Sequence, residues 1–293
     1  MNFNNPAWRK APIRTALRVA KSLARKRVER LSRVAVPYDG GRTSIYADLH
    51  TPLGLGLYRY GYRDPDLDLV AKLLRPGDVF VDGGANVGLF TLVAANRVGA
   101  AGKVIAFEPG RAVRMSLLAN VVLNGLAQVE VVPFALAAEL GEARFRVFEA
   151  AGAGLNHLVG RDAEDGQIEV VTLTSLDAVL TPSDRDRLTF IKLDLEGAEH
   201  AALRGAQATL RHAHPDILIE IEAAHLARMG SSPKAVAEVL AGHGYRFYRA
   251  EADAAGALVL SPVPDLEVPG ARPNIFATVD GARVRALGIS VPD

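Results

Sequence analysis

The 293-residue chain contains no cysteine. That excludes every disulfide framework, every Cys-ligated zinc or iron–sulfur site and every thiolate nucleophile. Aromatic residues are also scarce, at 6%, but 49% of the residues are apolar and 23% charged. This is the composition of an Ala-, Val- and Leu-rich globule, so disorder of the whole chain is excluded. A long hydrophobic run is missing too: the most apolar stretch, Val79 to Ala95, is interrupted by Asp82 and Asn86. It falls short of the roughly 20 apolar residues needed to span a bilayer, so no integral membrane segment is expected. The length allows one large domain or two small ones. No internal repeat and no second domain are visible.

The net charge of +1 conceals an asymmetry. Residues 1–34 carry ten Lys/Arg against the single acid Glu29, a charge of +9, which leaves 24 Lys/Arg against 32 Asp/Glu, or −8, for the remainder. Within this arm Ile13, Leu17, Ala20, Ala24, Val28 and Leu31 recur at steps of three and four. The spacing predicts a basic amphipathic helix. Arginines recur too often for the apolar core of a signal peptide. Docking on the acidic body or on a second subunit is the expected role of the arm, with anionic lipid or nucleic acid as the alternatives. The expected division is a basic arm over residues 1–35 and one domain over 36–293, its motifs concentrated in 76–222. The expected location is cytoplasmic, with peripheral membrane contact through residues 1–34 and homo-oligomerisation left open.

Along the body, a helix from about Asp66 to Leu74 should stop at Arg75-Pro76-Gly77. Val79–Asp82, Val104–Glu108, Val129–Val132, Phe190–Asp194 and Ile217–Glu222 are short runs rich in Val, Ile and Phe. Such runs suit strands buried on both faces. Helical stretches at 88–97, 111–123 and 198–211 separate most of them, so an α/β fold with a doubly wound, mostly parallel sheet is expected. Ala143–Phe148 and Gln167–Leu173 read as two further strands, a hairpin inserted after the third strand, and the polar loop of residues 150–166 between them is a potential lid. Tyr245–Arg249 and Asn274–Val279 should close the sheet.

The first strand runs directly into Asp82-Gly83-Gly84-Ala85-Asn86-Val87-Gly88. In open α/β sheets a ligand lies beyond the carboxyl ends of the strands, where glycines permit close approach. Glu108 ends the second strand, 20 residues after Gly88, the distance at which an acid can accept hydrogen bonds from a ribose diol. The dinucleotide spacing G-x-G-x-x-G is absent. An acidic residue opens the turn instead, which would repel a pyrophosphate but suits the α-amino group of S-adenosylmethionine.

The fourth strand places Lys192, Asp194 and Glu196 on one face by its period of two, and the fifth does the same with Glu220 and Glu222. Buried charges need partners. Lys192 with Glu220 is the expected ion pair, whereas Asp194 and Glu222 lie nearer the ligand edge. Of the seven histidines, His225 follows the fifth strand and His157 lies in the insertion, so each is a possible general base. No recognised metal-binding spacing appears, and no metal is expected.

Pro76-Gly77-Asp78, Val81 to Gly88, Phe107-Glu108-Pro109, Leu176-Asp177 and above all Ile191-Lys192-Leu193-Asp194-Leu195-Glu196-Gly197-Ala198-Glu199 resemble the FkbM-type S-adenosylmethionine-dependent methyltransferases. The resemblance covers about Tyr58 to Glu222. It implies a seven-stranded Rossmann-like methyltransferase sheet and O-methylation of a hydroxyl on a sugar, glycan or secondary metabolite. It also implies cofactor contacts from Asp82, Gly83, Gly84, Ala85, Asn86, Gly88, Glu108, Pro109, Ala135 and Asp194. Gly83 departs from similar sequences, which often carry a β-branched residue there, and is expected to loosen the turn. Asp194 is the first choice of general base, with His225 and His157 in reserve. An RNA methyltransferase using the basic arm is the alternative, but the Asn/Asp-Pro-Pro-Tyr segment suited to base N-methylation is absent after the fourth strand. A non-catalytic cofactor-binding or membrane-docking protein is the other. Nucleic acid is therefore not the expected partner.

Overall fold

The computed structural model describes residues 33–62, 64–148, 156–159, 167–253, 257–267, 273–286 and 288–289. The basic helix expected at the N-terminus, and all of the expected lid except residues 156–159, lie outside the described residues. Arg33, Val34 and Ala35, assigned above to the arm, instead begin the fold. They belong to β1 (Arg33–Tyr38), which forms an antiparallel hairpin with β2 (Thr43–Asp48). Two Pro-initiated helices follow, α1 (Pro52–Tyr60) and α2 (Pro65–Leu73), whose first turns are capped by the side chains of Thr51 and Asp64. Proline lacks only an N–H that would be unpaired there in any case.

The alternating core comprises β3 (Val79–Gly83), α3 (Leu89–Val98), β4 (Lys103–Phe107), α4 (Arg111–Leu123) and β5 (Val129–Val132). The insertion contributes β6 (Ala135–Leu136), β7 (Gly141–Val147), β8 (His157–Val159) and β9 (Gln167–Thr174). The short helices α5 (Leu176–Val179) and α6 (Pro182–Arg187) lead to β10 (Leu188–Leu193), α7 (Glu199–Arg204), α8 (Gln207–Ala213) and β11 (Asp216–Glu220). The chain ends through α9 (Ala223–Arg228), α10 (Pro233–Ala241), β12 (Arg246–Ala252), β13 (Leu258–Pro262), β14 (Asn274–Thr278) and α11 (Gly281–Ala286).

The main sheet has eight strands in the order β13-β12-β14-β11-β10-β3-β4-β5. Five are mutually parallel, from β11 to β5, and three antiparallel strands extend the β11 edge. The sheet is therefore α/β and mixed, with one strand more than the expected seven: β13 lies in a segment whose Ala, Gly and Pro content conceals it. The single helix expected over 198–211 is two, α7 and α8, separated at Gly205. A side chain at Gly205 would meet the Ala137 carbonyl oxygen at 2.1 Å.

Alternate residues on each parallel strand fill opposite layers. Val81, Ile105, Ile191, Leu193 and Ile219 pack with Leu203, Leu210 and Leu240 on one side. Phe80, Val104, Phe190, Leu218 and Phe276 pack with Leu69, Leu73 and Val98 on the other. Complete burial on both faces is what such apolar runs require. The insertion is a separate sheet, ordered β6-β9-β7-β8, rather than a simple hairpin. Phe145, Leu158 and Val171 pack with Ala135 and Ala198 and so hold it beside the carboxyl edge of the main sheet. Sequence order reverses direction between β3 and β10, which opens a crevice there.

Candidate functional site

The turn after β3 is fastened on both sides. Gly84 N and Ala85 N donate to the Phe107 carbonyl (3.1 and 2.9 Å), while Asp194 N donates to the Gly83 carbonyl (3.2 Å). Gly84 has φ +71°, and a Cβ there would lie 1.9 Å from the Asp194 carbonyl oxygen. The glycine is thus required both by its left-handed conformation and by the close approach of β10. Gly83 does not loosen the turn, because Leu193, Leu136 and the Lys192 backbone occupy the space a side chain would take, at 2.9 to 3.1 Å.

Beyond these strand ends lies a cleft of about 580 Å³ open to solvent, lined by Gly84, Asn86, Phe107, Glu108, Pro109, Phe134, Ala135, Leu136, Phe145, Asn156, Leu158, Asp194, Leu195, Glu196 and Ala198. Of the residues picked out from sequence, Gly84, Asn86, Glu108, Pro109, Ala135 and Asp194 line it. Gly83, Ala85 and Gly88 are not among the lining residues. The aromatic and amide contributions of Phe145 and Asn156 come from the insertion, and no local motif announces them. Phe134 adjoins the selected Ala135, and Glu196 shares the alternating face of Asp194, so both had a signal in the chain.

Glu108 is buried, with Oε2 accepting from Asn86 N (3.0 Å) and Oε1 from Gly110 N (2.9 Å). Burial pushes its carboxyl up to about 7, against the opposing pull of those two N–H groups and of Lys192 and Arg114. Each oxygen keeps acceptor capacity beyond its one backbone bond.

Asp82 does not face the cleft. It is fully buried, accepts from Thr91 Oγ1 (2.6 Å) and lies 3.5 Å from Lys192 Nζ. The expected contact with an α-amino group is therefore replaced by an internal one: Asp82 balances a buried ammonium. Lys192 does not pair with Glu220 as expected. Its Nζ lies 3.5 Å from Asp194 Oδ2 and donates to the carbonyls of Gly83 (3.1 Å) and Gly84 (2.7 Å). Burial would lower the Lys192 pKa, but Asp194 and Asp82 outweigh it and hold the ammonium above its ordinary value. One cation thus ties the first turn to the end of β10. Asp194 is held at the cleft by this contact, with its side chain 42% exposed.

After β10 the chain turns through Glu196 (φ +55°) and Gly197 (φ +112°). A side chain at Gly197 would strike the His225 carbonyl oxygen at 2.3 Å, so this glycine lets α9 pack against the turn. Glu199 is buried and accepts from Leu195 N (2.7 Å) and Gly197 N (3.3 Å), and burial raises its carboxyl to about 7. His225 is off the cleft wall. Its Nδ1 lies 3.0 Å from Glu196 Oε2 and 3.6 Å from Glu220 Oε2, and burial together with Arg228 holds the imidazole below its usual range. His157 also fails to reach the cleft: Asn156 and Leu158 face it, while His157 is buried 5.7 Å from the Phe148 ring centroid. Alternation along β8 separates the two faces. Glu222 is exposed and caps α9 through Ala224 N (3.5 Å), and it does not line the cleft.

An α/β sheet with its cleft at the reversal point and an acid at the end of the second core strand is the arrangement that receives nucleoside-bearing ligands. The family model for the methyltransferase FkbM domain matches residues 82–247. That is more than half of the chain, which belongs to the FkbM methyltransferase family. No curated protein sequence matches the chain. Among solved structures it is similar to methyltransferase FkbM from Methylobacillus flagellatus KT, at 17% identity and TM-score 0.40, over 73% of this chain and 50% of that one. The chain thus spans about half the length of that protein. It is also similar to a putative methyltransferase from Streptococcus mutans in complex with SAH (10% identity, TM-score 0.43, 74% and 98% covered). A SAM-dependent O-methyltransferase from Thermotoga maritima is a third (16% identity, TM-score 0.39, 76% and 69% covered). Among the described residues no helix is long and apolar enough to cross a membrane.

Proposed function

We propose that this chain is an O-methyltransferase that modifies a hydroxyl of a sugar, glycan or secondary metabolite, and that the cleft between β3, β4 and β10 holds both reactants. The observation that carries the reading is the placement of two carboxylates on one cleft. Glu108 is buried with spare acceptor capacity at the β4 edge, and Asp194 is half-exposed at the β10 edge. The cleft fits the donor: Gly84 and Asn86 line it from the turn after β3, Pro109 adjoins Glu108, and Phe134 and Phe145 offer apolar surface. Glu108 would accept from the ribose hydroxyls, and the Gly84 to Asn86 turn would face the methionine end.

S-adenosylmethionine supplies an electrophilic methyl group on a sulfonium. Transfer to a hydroxyl then needs alignment and removal of one proton. Asp194 is the group placed to accept that proton, because Lys192 fixes its carboxylate at the cleft and cancels part of the surrounding negative charge. Asn156 and Leu158, from the inserted sheet, would bound the acceptor side. The catalytic unit in this reading is the body from residue 33 onward, with the basic arm before it as an electrostatic docking element.

The test is release of S-adenosylhomocysteine on incubation with a panel of sugars, glycans and hydroxylated small molecules. Turnover with a hydroxyl acceptor that is lost in Asp194→Asn supports the assignment. Turnover only with RNA would overturn it.

A further inference from the structure

At the margin of the cleft, Glu196, Glu220 and His225 bring three metal-ligating atoms within 4.8 Å of one another. They come from three places in the fold: the turn after β10, the end of β11 and the helix α9. We propose that these three side chains form a binding site for one divalent cation of the Mn²⁺ or Zn²⁺ kind.

The first argument is geometric. Around an ion with bonds of about 2.1 Å, the separations from His225 Nδ1 to Glu196 Oε2 (3.0 Å) and to Glu220 Oε2 (3.6 Å) correspond to angles of about 90° and 118°. These span the octahedral and tetrahedral values, so for the two imidazole–carboxylate pairs little rearrangement separates the present positions from coordination. The second argument is an unmet need. Glu220 Oε2 and His225 Nδ1 are both shielded from solvent, and neither makes a hydrogen bond. The ring nitrogen is near two carboxylates, yet neither contact has hydrogen-bond alignment. Buried polar atoms are normally satisfied, and two orphans aimed at the same point indicate a missing partner.

The third argument is charge. Asp194 and Glu199 add to the field of Glu196 and Glu220, while Glu222 is exposed at the start of α9. The cations on these elements are committed elsewhere: Lys192 to Asp82, Asp194 and two carbonyls, and Arg228 to the Glu196 carbonyl oxygen (2.7 Å). A divalent ion would balance the excess. Two carboxylates with one imidazole suit Mn²⁺ or Zn²⁺ better than Mg²⁺, which favours oxygen ligands and retained water. The local sequence supports the construction. Glu196 sits at φ +55°, and Gly197 lets α9 come close enough to present His225.

Glu196 also belongs to the cleft wall. On the reading of this protein as a hydroxyl methyltransferase, the ion would stand at the acceptor side and favour the alkoxide form of a hydroxyl that reached it.

The experiment uses the full chain, freed of metal by chelation, and Mn²⁺ or Zn²⁺ as the probe. Calorimetry and Mn²⁺ electron paramagnetic resonance should show one site per chain. Glu220→Gln and His225→Asn should each weaken it at least tenfold. S-adenosylhomocysteine affinity, measured on the same samples, should be unchanged, which reports that the variants are folded and separates this site from the cofactor cleft. If one of the two variants does not fold, the other is read in its place. Failure of the wild-type chain to bind either ion at millimolar concentration overturns the proposal, as does equal binding by wild type and the variants. Loss of S-adenosylhomocysteine binding by the wild-type chain would instead count against the cleft assignment and leave the metal measurement standing.

Discussion

If Glu108 grips the ribose of the donor, replacing it with alanine must cost affinity in a calculable range. Each of two charge-assisted hydrogen bonds to a diol is worth about 1.5 to 3 kcal/mol, together about 3 to 6. At about 1.4 kcal/mol per decade, the dissociation constant for S-adenosylhomocysteine should rise by roughly 10² to 10⁴. The substitution also leaves Asn86 N and Gly110 N without their acceptor. Glu108→Gln is therefore the companion variant, since its amide oxygen can still accept one of them. A pH dependence follows from the same environment. Burial raises the Glu108 carboxyl to about 7, so it is largely protonated below that and accepts poorly. Cofactor affinity should therefore increase from pH 6 to 8. The stability of the free protein should move the other way: a carboxyl whose folded pKa is raised favours folding at low pH and loses that contribution as pH rises from its ordinary value through about 7. Isothermal calorimetry on variants with native circular dichroism is the assay. Undiminished affinity in folded Glu108→Ala would refute the assignment of the ribose to this carboxylate.

Lys192→Met should destabilise the fold by about 3 to 5 kcal/mol, because it leaves the fully buried Asp82 without its counter-ion; an unchanged urea midpoint would contradict the tie between the two strand ends. Gly84→Ala should lower stability by at least about 2 kcal/mol, since a methyl group would meet the Asp194 carbonyl oxygen and sit at positive φ; thermal melting checks this, and a neutral effect would mean the turn moves freely. Asn156→Ala should slow methyl transfer while leaving calorimetric cofactor affinity within a factor of about three, which tests whether β8 bounds the acceptor side rather than the donor side. Removing residues 1–32, which carry +8 against −7 for the rest, should lower the melting temperature or dissociate an oligomer if this arm docks on the body; an unchanged melting temperature and solution mass would reject docking, and loss of salt-sensitive binding to anionic vesicles alone would point to a membrane role.

Local pattern determined the parallel core. Val79–Gly83, Lys103–Phe107, Val129–Val132, Leu188–Leu193 and Asp216–Glu220 are apolar runs that can be stable only when buried on both faces, so alternation with helices dictated the α/β arrangement. The Gly84 turn and Glu108 were legible because a strand-to-helix turn and the acid ending the next strand adjoin in any such sheet. Their setting in the fold decided the rest. Asp82 looked like a ligand-binding acid from its place in the motif, but its side chain points into the layer under α3, where Thr91 and Lys192 receive it. Lys192 took Asp82 and Asp194 as partners rather than Glu220, since the register sets it opposite Asp82 on β3 but opposite Leu218 on β11. His157 missed the cleft by one residue of strand alternation, and His225 joined Glu196 and Glu220 because Gly197 allows α9 to close on the turn. Such pairings depend on register and on helix approach across long sequence separations, which composition and periodicity do not encode.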